Sequence, residues 1–229
     1  MKRRKFLKNL GSDKAGKASD TQRALVQGVP HPASPGTLVF PNALLRTHEN
    51  KAVRFYDDLI RGKQVLLNMM YATCEGVCPK ITANLVKVHE ALKDRMGKDL
   101  FMYSITLKPE EDDPAALKNF AMMHRALLPG WTFLTGDPYD IETIRYKLFG
   151  MDHIAIDTDI YSHTSFMAII NDATNRRLHV DPQARLSTVL WKISMADPPK
   201  TREQILEANR KLQEQIDRER KIYGYRMTT

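Results

Sequence analysis

The only two cysteines of the chain lie in residues 73–79 (TCEGVCP), separated by three residues. Two thiols at this spacing can chelate a soft metal ion, or they can cycle between dithiol and disulfide. Pro79 is typical of the first position of a helix and predicts that Cys78 occupies the N-cap, where unpaired amides and the helix dipole lower a thiol pKa. Buried structural cysteine is the alternative, and it is less expected for two cysteines in one short motif hinged by Gly and Pro. The motif indicates thiol chemistry, but it does not distinguish metal binding from dithiol–disulfide cycling.

Two apolar segments and a helix are expected to position this motif. Residues 64–72 (QVLLNMMYA) form a nearly continuous apolar run, the pattern of a strand covered on both faces. Residues 81–96 carry apolar side chains at helical spacing, and residues 100–107 (LFMYSITL) predict a second buried strand. The cysteines therefore follow a central strand at its carboxyl end, where open α/β sheets place their sites.

The remaining elements complete an α/β pattern. Asp113-Pro114 and Asp137-Pro138 each predict a helix start, for helices that end near residues 127 and 149. Shorter elements are expected as strands at 38–40, 52–56 and 131–134, as a hairpin of 164–170 with 176–180, and as a helix at 182–195. This order predicts a thioredoxin-like three-layer α/β/α sandwich with a mixed central sheet.

The chain is expected to have three parts: a basic arm and linker at 1–36, the thioredoxin-like domain at 37–197, and a charged C-terminal helix at 198–229. The C-terminal helix is too short to predict a coiled coil, and we expect it to dock on its own domain rather than on a partner.

The net charge of +8 belongs to the two ends of the chain. Residues 1–8 and the segment from residue 200 onward are basic, whereas the part between them has equal numbers of basic and acidic residues. No segment alternates Lys or Arg with aromatic residues as nucleic-acid platforms do, so we expect no nucleic-acid partner. No apolar run reaches the roughly 18 residues of a membrane span, so none is expected.

The N-terminus resembles an export signal in part. Arg3-Arg4 is followed by Lys5, Phe6 and Leu7, as in twin-arginine motifs, but the apolar stretch that should follow is polar here. The pattern is that of a degenerate export signal, and its missing apolar region is also compatible with a disordered arm on a cytoplasmic protein.

A metal site would need a ligand besides the two thiols. His89 and His124 lie in predicted helices, off their apolar stripes, and are expected on solvated faces. His153 and His163 flank an irregular loop ahead of the hairpin. No neighbouring motif predicts a metal-binding or catalytic role for the other histidines, which are His31, His48 and His179. The residues alone single out no histidine as a ligand.

From about residue 42 to residue 178 the chain resembles the SCO/SenC family of copper-binding, thioredoxin-fold proteins, which act as copper chaperones in cytochrome c oxidase assembly. The segments that carry the resemblance are 66–68 (LLN), 73–79 (TCEGVCP), 83–85 (ANL), 109–114 (PEEDDP), 134–138 (LTGDP) and 162–164 (SHT). The resemblance implies that Cys74, Cys78 and His163 bind copper as Cu(I) or Cu(II). Such a soft donor set suits copper, and zinc is also compatible with it.

Two positions depart from the family pattern. Ser162 stands where the family usually has Asp before the histidine, which removes a carboxylate that could orient the imidazole. Lys108 stands where the family has Asp before Pro109, which changes the rim of the site or a partner contact. Met69 and Met70 could in principle add a weak ligand, and core packing is their expected role.

The leading interpretation is a copper metallochaperone, not an enzyme in the strict sense. It would deliver copper to an apo-protein such as an oxidase subunit, most readily to the binuclear copper centre of a haem–copper oxidase. The alternative is a thiol-disulfide oxidoreductase that keeps client cysteines reduced through Cys74 and Cys78, with a thiol reductant as partner. The three-residue spacing, and the lack of proline in residues 139–181 for a thioredoxin-type cis-proline, weigh against the alternative. The family and Arg3-Arg4 favour a periplasmic or other extracytoplasmic location.

Overall fold

The computed structural model describes residues 40–149 and 166–223, which lie in the unit Thr37–Thr229. The strands are β1 (Leu44–Thr47), β2 (Ala52–Arg54), β3 (Gln64–Met70), β4 (Leu100–Thr106), β5 (Trp131–Gly136), β6 (Met167–Asn171) and β7 (Arg176–Val180). A π-helical turn spans Phe55–Ile60, and the α-helices are α1 (Val77–Ala91), α2 (Pro114–Met123), α3 (Pro138–Phe149), α4 (Leu186–Ala196) and α5 (Arg202–Tyr223).

The strands of the described residues form one mixed sheet in the order β2-β1-β5-β4-β3-β6-β7. Strands β3, β4 and β5 run parallel, whereas β1, β2, β6 and β7 pair antiparallel with their neighbours. The predicted hairpin is present as β6 and β7. The central strand β3 ends directly before the cysteine motif, so the motif lies at the carboxyl edge of the parallel strands.

Helices cover both faces of the sheet, as a strand buried on both sides requires. Every residue of β3 is buried. Leu66 and Met70 pack in a core that includes residues of α1, α2 and α4. Val65 and Leu67 pack on the opposite face, in a core with residues of α3 and the π-helical turn. The three-layer α/β/α sandwich with a mixed sheet is confirmed.

The two Asp-Pro signals begin helices as predicted. Asp113 accepts a hydrogen bond from the Ala116 amide (2.7 Å), and the Asp137 carboxylate accepts one from the Tyr139 amide (2.9 Å). The helix after Asp113 ends at Met123 instead of near residue 127, because the backbone at Arg125 turns to a positive φ of 54° and leaves the helical path.

The first part of the described chain differs from the expectation. Strand β1 was not predicted, and Phe40, expected to end a strand, is buried outside any strand. Strand β2 stops at Arg54, because Phe55 turns into the π-helix and packs edge-on against Phe40, with ring centroids 6.3 Å apart.

The C-terminal helix forms as predicted. Thr201 and Gln204 make a reciprocal cap: the Gln204 amide donates to Thr201 Oγ1 (3.2 Å), and the Thr201 amide donates to Gln204 Oε1 (2.9 Å). Ile205 and Leu206, at the start of α5, are exposed. The division of the chain at residues 36 and 197 stays a prediction, and residues 1–36 lie outside the described part. Within that part, no helix combines the length and the apolar character needed to cross a membrane.

Candidate metal and thiol site

The cysteine loop, residues 71–76, joins β3 to α1. It begins with a turn in which the Cys74 amide donates to the Tyr71 carbonyl (3.2 Å), and α1 starts at Val77 with Gly76 as its N-cap. The prediction that Cys78 is the N-cap is therefore wrong. Pro79 occupies the third helical position, still within the first turn, where a missing amide hydrogen removes no helical hydrogen bond.

Because α1 starts before Cys78, its N-terminus faces Cys74 instead of Cys78. Cys78 is now the second helical residue, so its amide belongs to the unpaired donors of the first turn. That amide donates to Cys74 Sγ at 3.5 Å. The amides and the positive dipole end of α1 therefore act on Cys74, which precedes the helix, rather than on Cys78 within it.

The two thiols have opposite pKa shifts. Burial by itself raises the pKa of Cys74, but hydrogen bonds from the Cys78 thiol, from the Cys78 and Gly76 amides and from the Tyr71 side chain bring it below its ordinary value. Burial raises the pKa of Cys78 well above its ordinary value, and the adjacent Cys74 sulfur raises it further. Cys74 is therefore the thiol that ionises first, the reverse of what the predicted N-cap implied.

Both sulfurs are shielded from solvent. Cys74 is 6% exposed and Cys78 is 2% exposed, and both are free thiols. They belong to the same buried cluster as Met70 and Ile81, while Met69 packs on the other face of the sheet. The predicted core-packing role of both methionines is confirmed.

The loop after β4, residues 107–113, forms one wall beside the cysteine loop. The Lys108 ammonium lies 4.8 Å above the centre of the Tyr71 ring and pairs with Glu111 (3.2 Å). Asp112 is fully buried and accepts a hydrogen bond from the Ala72 amide (2.9 Å). The sequence did not single out Asp112, because it lies in a run of four acids whose burial only the fold distinguishes.

The predicted third ligand, His163, lies outside the described residues, as do its neighbour Ser162 and the alternative His153. The expectation for His89 is wrong. It is buried, its Nε2 lies 2.8 Å from the Pro129 carbonyl, and its ring stacks on Trp131 at 6.5 Å.

The other described histidines make structural contacts within the domain. His48 Nδ1 accepts a hydrogen bond from the Phe133 amide (3.2 Å), and burial lowers the pKa of His48. His179 Nε2 lies 2.8 Å from the Leu148 carbonyl. His124 is half-buried rather than fully solvated. In the part of the chain that the structure describes, no three His, Cys, Asp or Glu residues form a metal-binding group, so the site as described is the cysteine pair.

Comparison with known families identifies the chain. The SCO1/SenC family model matches residues 44–196, which include all the central strands and both cysteines. The chain belongs to the SCO1/SenC family. A relative of this SCO1/SenC protein, the SCO1 protein homolog of Bacillus subtilis, is 32% identical over 91 residues. That match covers 39% of this chain and spans about half of the relative, 47% of its length.

Solved structures of Sco proteins share its fold. The SCO1/SenC family lipoprotein of Bacillus anthracis superposes with a TM-score of 0.57 at 20% identity, covering 70% of this chain and 95% of the other. BsSco, a member of the Sco family of cytochrome c oxidase assembly proteins in which a disulfide switch was identified, gives 0.56 at 21% identity, with 70% and 95% coverage. Yeast Sco1 with copper bound gives 0.52 at 17% identity, with 70% and 96% coverage.

Proposed function

We propose that this SCO1/SenC protein handles copper during the assembly of cytochrome c oxidase, binding the metal through Cys74, Cys78 and His163. The observation that carries the proposal is the pair of buried thiols at the N-terminus of α1, one of them with a lowered pKa. Two thiolates are soft donors that suit Cu(I), and an added imidazole makes a three-ligand set that also accommodates Cu(II). The copper-bound yeast relative supports this choice of metal.

Copper is the cargo of this protein in our proposal, and the client is an apo-protein such as an oxidase subunit. The binuclear copper centre of a haem–copper oxidase is the client that we propose. Both sulfurs are almost inaccessible in the described conformation, so transfer requires the cysteine loop to open. An incoming thiolate can then displace the ligands one at a time.

A second function is supported by the difference between the two thiols. A thiolate at Cys74 can attack a client disulfide and form a mixed disulfide, releasing one client thiolate. Cys78 then loses its proton and attacks the Cys74 sulfur. The client leaves as a dithiol, two electrons having passed to it, and the protein keeps a Cys74–Cys78 disulfide. A thiol reductant must reset the pair. The disulfide switch identified in BsSco supports this alternative.

We also propose an extracytoplasmic location. The Bacillus anthracis relative is a lipoprotein, and Arg3-Arg4 resembles part of an export motif.

The test is a metal titration of protein purified reduced and without oxygen. We expect one Cu(I) per chain, and a sulfur-to-copper charge-transfer band when Cu(II) is used. The Cys74→Ser, Cys78→Ser double variant should lose both, with its folding verified by thermal unfolding. Retention of tight one-to-one binding by the double variant would place the copper site elsewhere and refute the proposal.

A further inference from the structure

Asp112 is a buried acid whose two oxygens differ in their contacts. Its side chain has no exposed surface. Oδ2 accepts hydrogen bonds from the Ala72 amide (2.9 Å) and from the Thr106 hydroxyl. Oδ1 is buried as well, and it accepts no hydrogen bond from any group in the described residues.

An acid with this environment is costly to the fold. A buried polar atom without a hydrogen-bond partner loses its interactions with water and gains nothing in exchange. The buried Oδ2 links two segments through its hydrogen bonds: the cysteine loop after β3, and the end of β4. Ala72 lies two residues before Cys74, and Thr106 is the last residue of β4.

Among the described residues, the loop 107–113 has three contacts with the end of β3 and the start of the cysteine loop, and Asp112 makes one of them. The Leu107 amide donates to the Met70 carbonyl (2.7 Å), and the Lys108 ammonium lies above the Tyr71 ring. With the hydrogen bond to Ala72, these contacts fall on three consecutive residues at the point where the cysteine loop leaves β3. The Asp112 contact is the last of them before Cys74.

We propose that Asp112 is a positioning residue of the thiol site, whose carboxylate oxygen fixes the Ala72 amide and so holds the cysteine loop in the geometry that captures copper. This inference rests on the proposed copper function. Asp112 acts through Ala72, and it does so by accepting hydrogen bonds rather than by its charge. An Asn side chain has the same shape, and its oxygen can accept the same two hydrogen bonds.

Two substitutions separate hydrogen bonding from charge. Groups that orient metal ligands typically contribute about 10–100-fold to metal affinity, so Asp112→Ala should weaken Cu(I) binding by about that factor. Asp112→Asn should restore most of the affinity that Asp112→Ala loses, because Ala72 keeps its acceptor. Asp113→Ala is the matched control: it removes the cap of α2 and lowers the melting temperature. Within the described residues Asp113 makes no hydrogen bond to the cysteine loop, so Cu(I) affinity should not change.

A second measurement needs no copper. In the metal-free protein, Asp112→Ala should speed hydrogen exchange at the Ala72 amide and shift the reduction potential of the Cys74–Cys78 couple, whereas Asp112→Asn should do neither. If Asp112→Ala does not fold, Thr106→Val, which removes the other hydrogen bond to Oδ2, takes its place and should show the same changes to a smaller degree.

The outcomes distinguish this inference from the proposed function. If the parent protein binds no copper, the copper function fails, and the exchange and potential measurements still decide the role of Asp112. An Asp112→Asn variant as impaired as Asp112→Ala would show that charge, not hydrogen bonding, matters, and would overturn the inference. Unchanged copper affinity and unchanged Ala72 exchange in the Asp112→Ala variant would overturn it as well.

Discussion

The opposite pKa shifts of the two thiols predict how copper affinity changes with pH. The lowered pKa of Cys74 makes its thiolate easier to form than that of an ordinary cysteine, whereas the pKa of Cys78, raised to about 12, keeps that thiol protonated at neutral pH. A Cu(I) ion bound by both sulfurs must therefore displace the Cys78 proton. Each proton released on binding makes the affinity rise tenfold per pH unit, as long as the pH stays below the pKa of the thiol that loses it.

The size of the effect follows from the number of protons. One released proton gives a gain of about 100-fold between about pH 7 and about pH 9, or about 2.7 kcal/mol. If both thiols were protonated throughout that range, the gain in Cu(I) affinity would approach about 10,000-fold. If both were already thiolates, the affinity would not change with pH. Because the pKa of Cys78 is raised, we expect at least the gain from one proton, and because the pKa of Cys74 is lowered, we expect the gain to stay below the two-proton limit.

The assay is a competition for Cu(I) with a chelator whose own affinity is constant over this pH range. Proton release can be counted independently by calorimetry in buffers of different ionisation enthalpy. A gain of less than about tenfold would mean that Cys78 is already a thiolate, and would refute the raised pKa. A gain near the two-proton limit would refute the lowered pKa of Cys74. Cys78→Ser should remove most of the pH dependence together with the tight binding.

Other predictions concern the third ligand and the fold. His163→Ala should weaken copper binding and leave the thiol titration of the cysteine pair intact, with His153→Ala as a control of little effect; unchanged copper affinity would favour the oxidoreductase. Ser162→Asp should tighten copper binding by about 10–100-fold, and the gain should vanish in a His163→Ala background, because the carboxylate would act through the imidazole; an equal gain in both backgrounds would contradict this. Gly62→Ala should lower the free energy of unfolding by about 1 kcal/mol, since its φ of 69° disfavours a side chain but nothing lies within 4 Å of the new Cβ. Gly130→Ala should cost about 1–3 kcal/mol more in chemical denaturation, because its Cβ would lie 2.3 Å from the Gly97 backbone nitrogen; equal losses at the two glycines would contradict the predicted clash.

The sequence determined those features that depend on local pattern. The apolar run at 64–72 predicted a strand buried on both faces, because such a run has no polar side to give to solvent, and β3 is buried throughout. The Asp-Pro pairs predicted the starts of α2 and α3, since a cap needs only a side-chain acceptor and the next few amides. The cysteine motif and its accompanying segments predicted the family, which the match over residues 44–196 confirms.

The tertiary structure decided which cysteine ionises. Spacing and Pro79 favoured a helix that starts after Cys78, but the chain begins α1 at Val77, and the amide of Cys78 then serves Cys74. Burial of each sulfur depends on segments far away in the sequence, as does the burial of His89 against Trp131 and of Asp112 beneath the cysteine loop. Local sequence pattern shows which groups can ionise or accept a hydrogen bond. The desolvation and the partners that fix their behaviour come from residues brought together only by the packed sheet and helices.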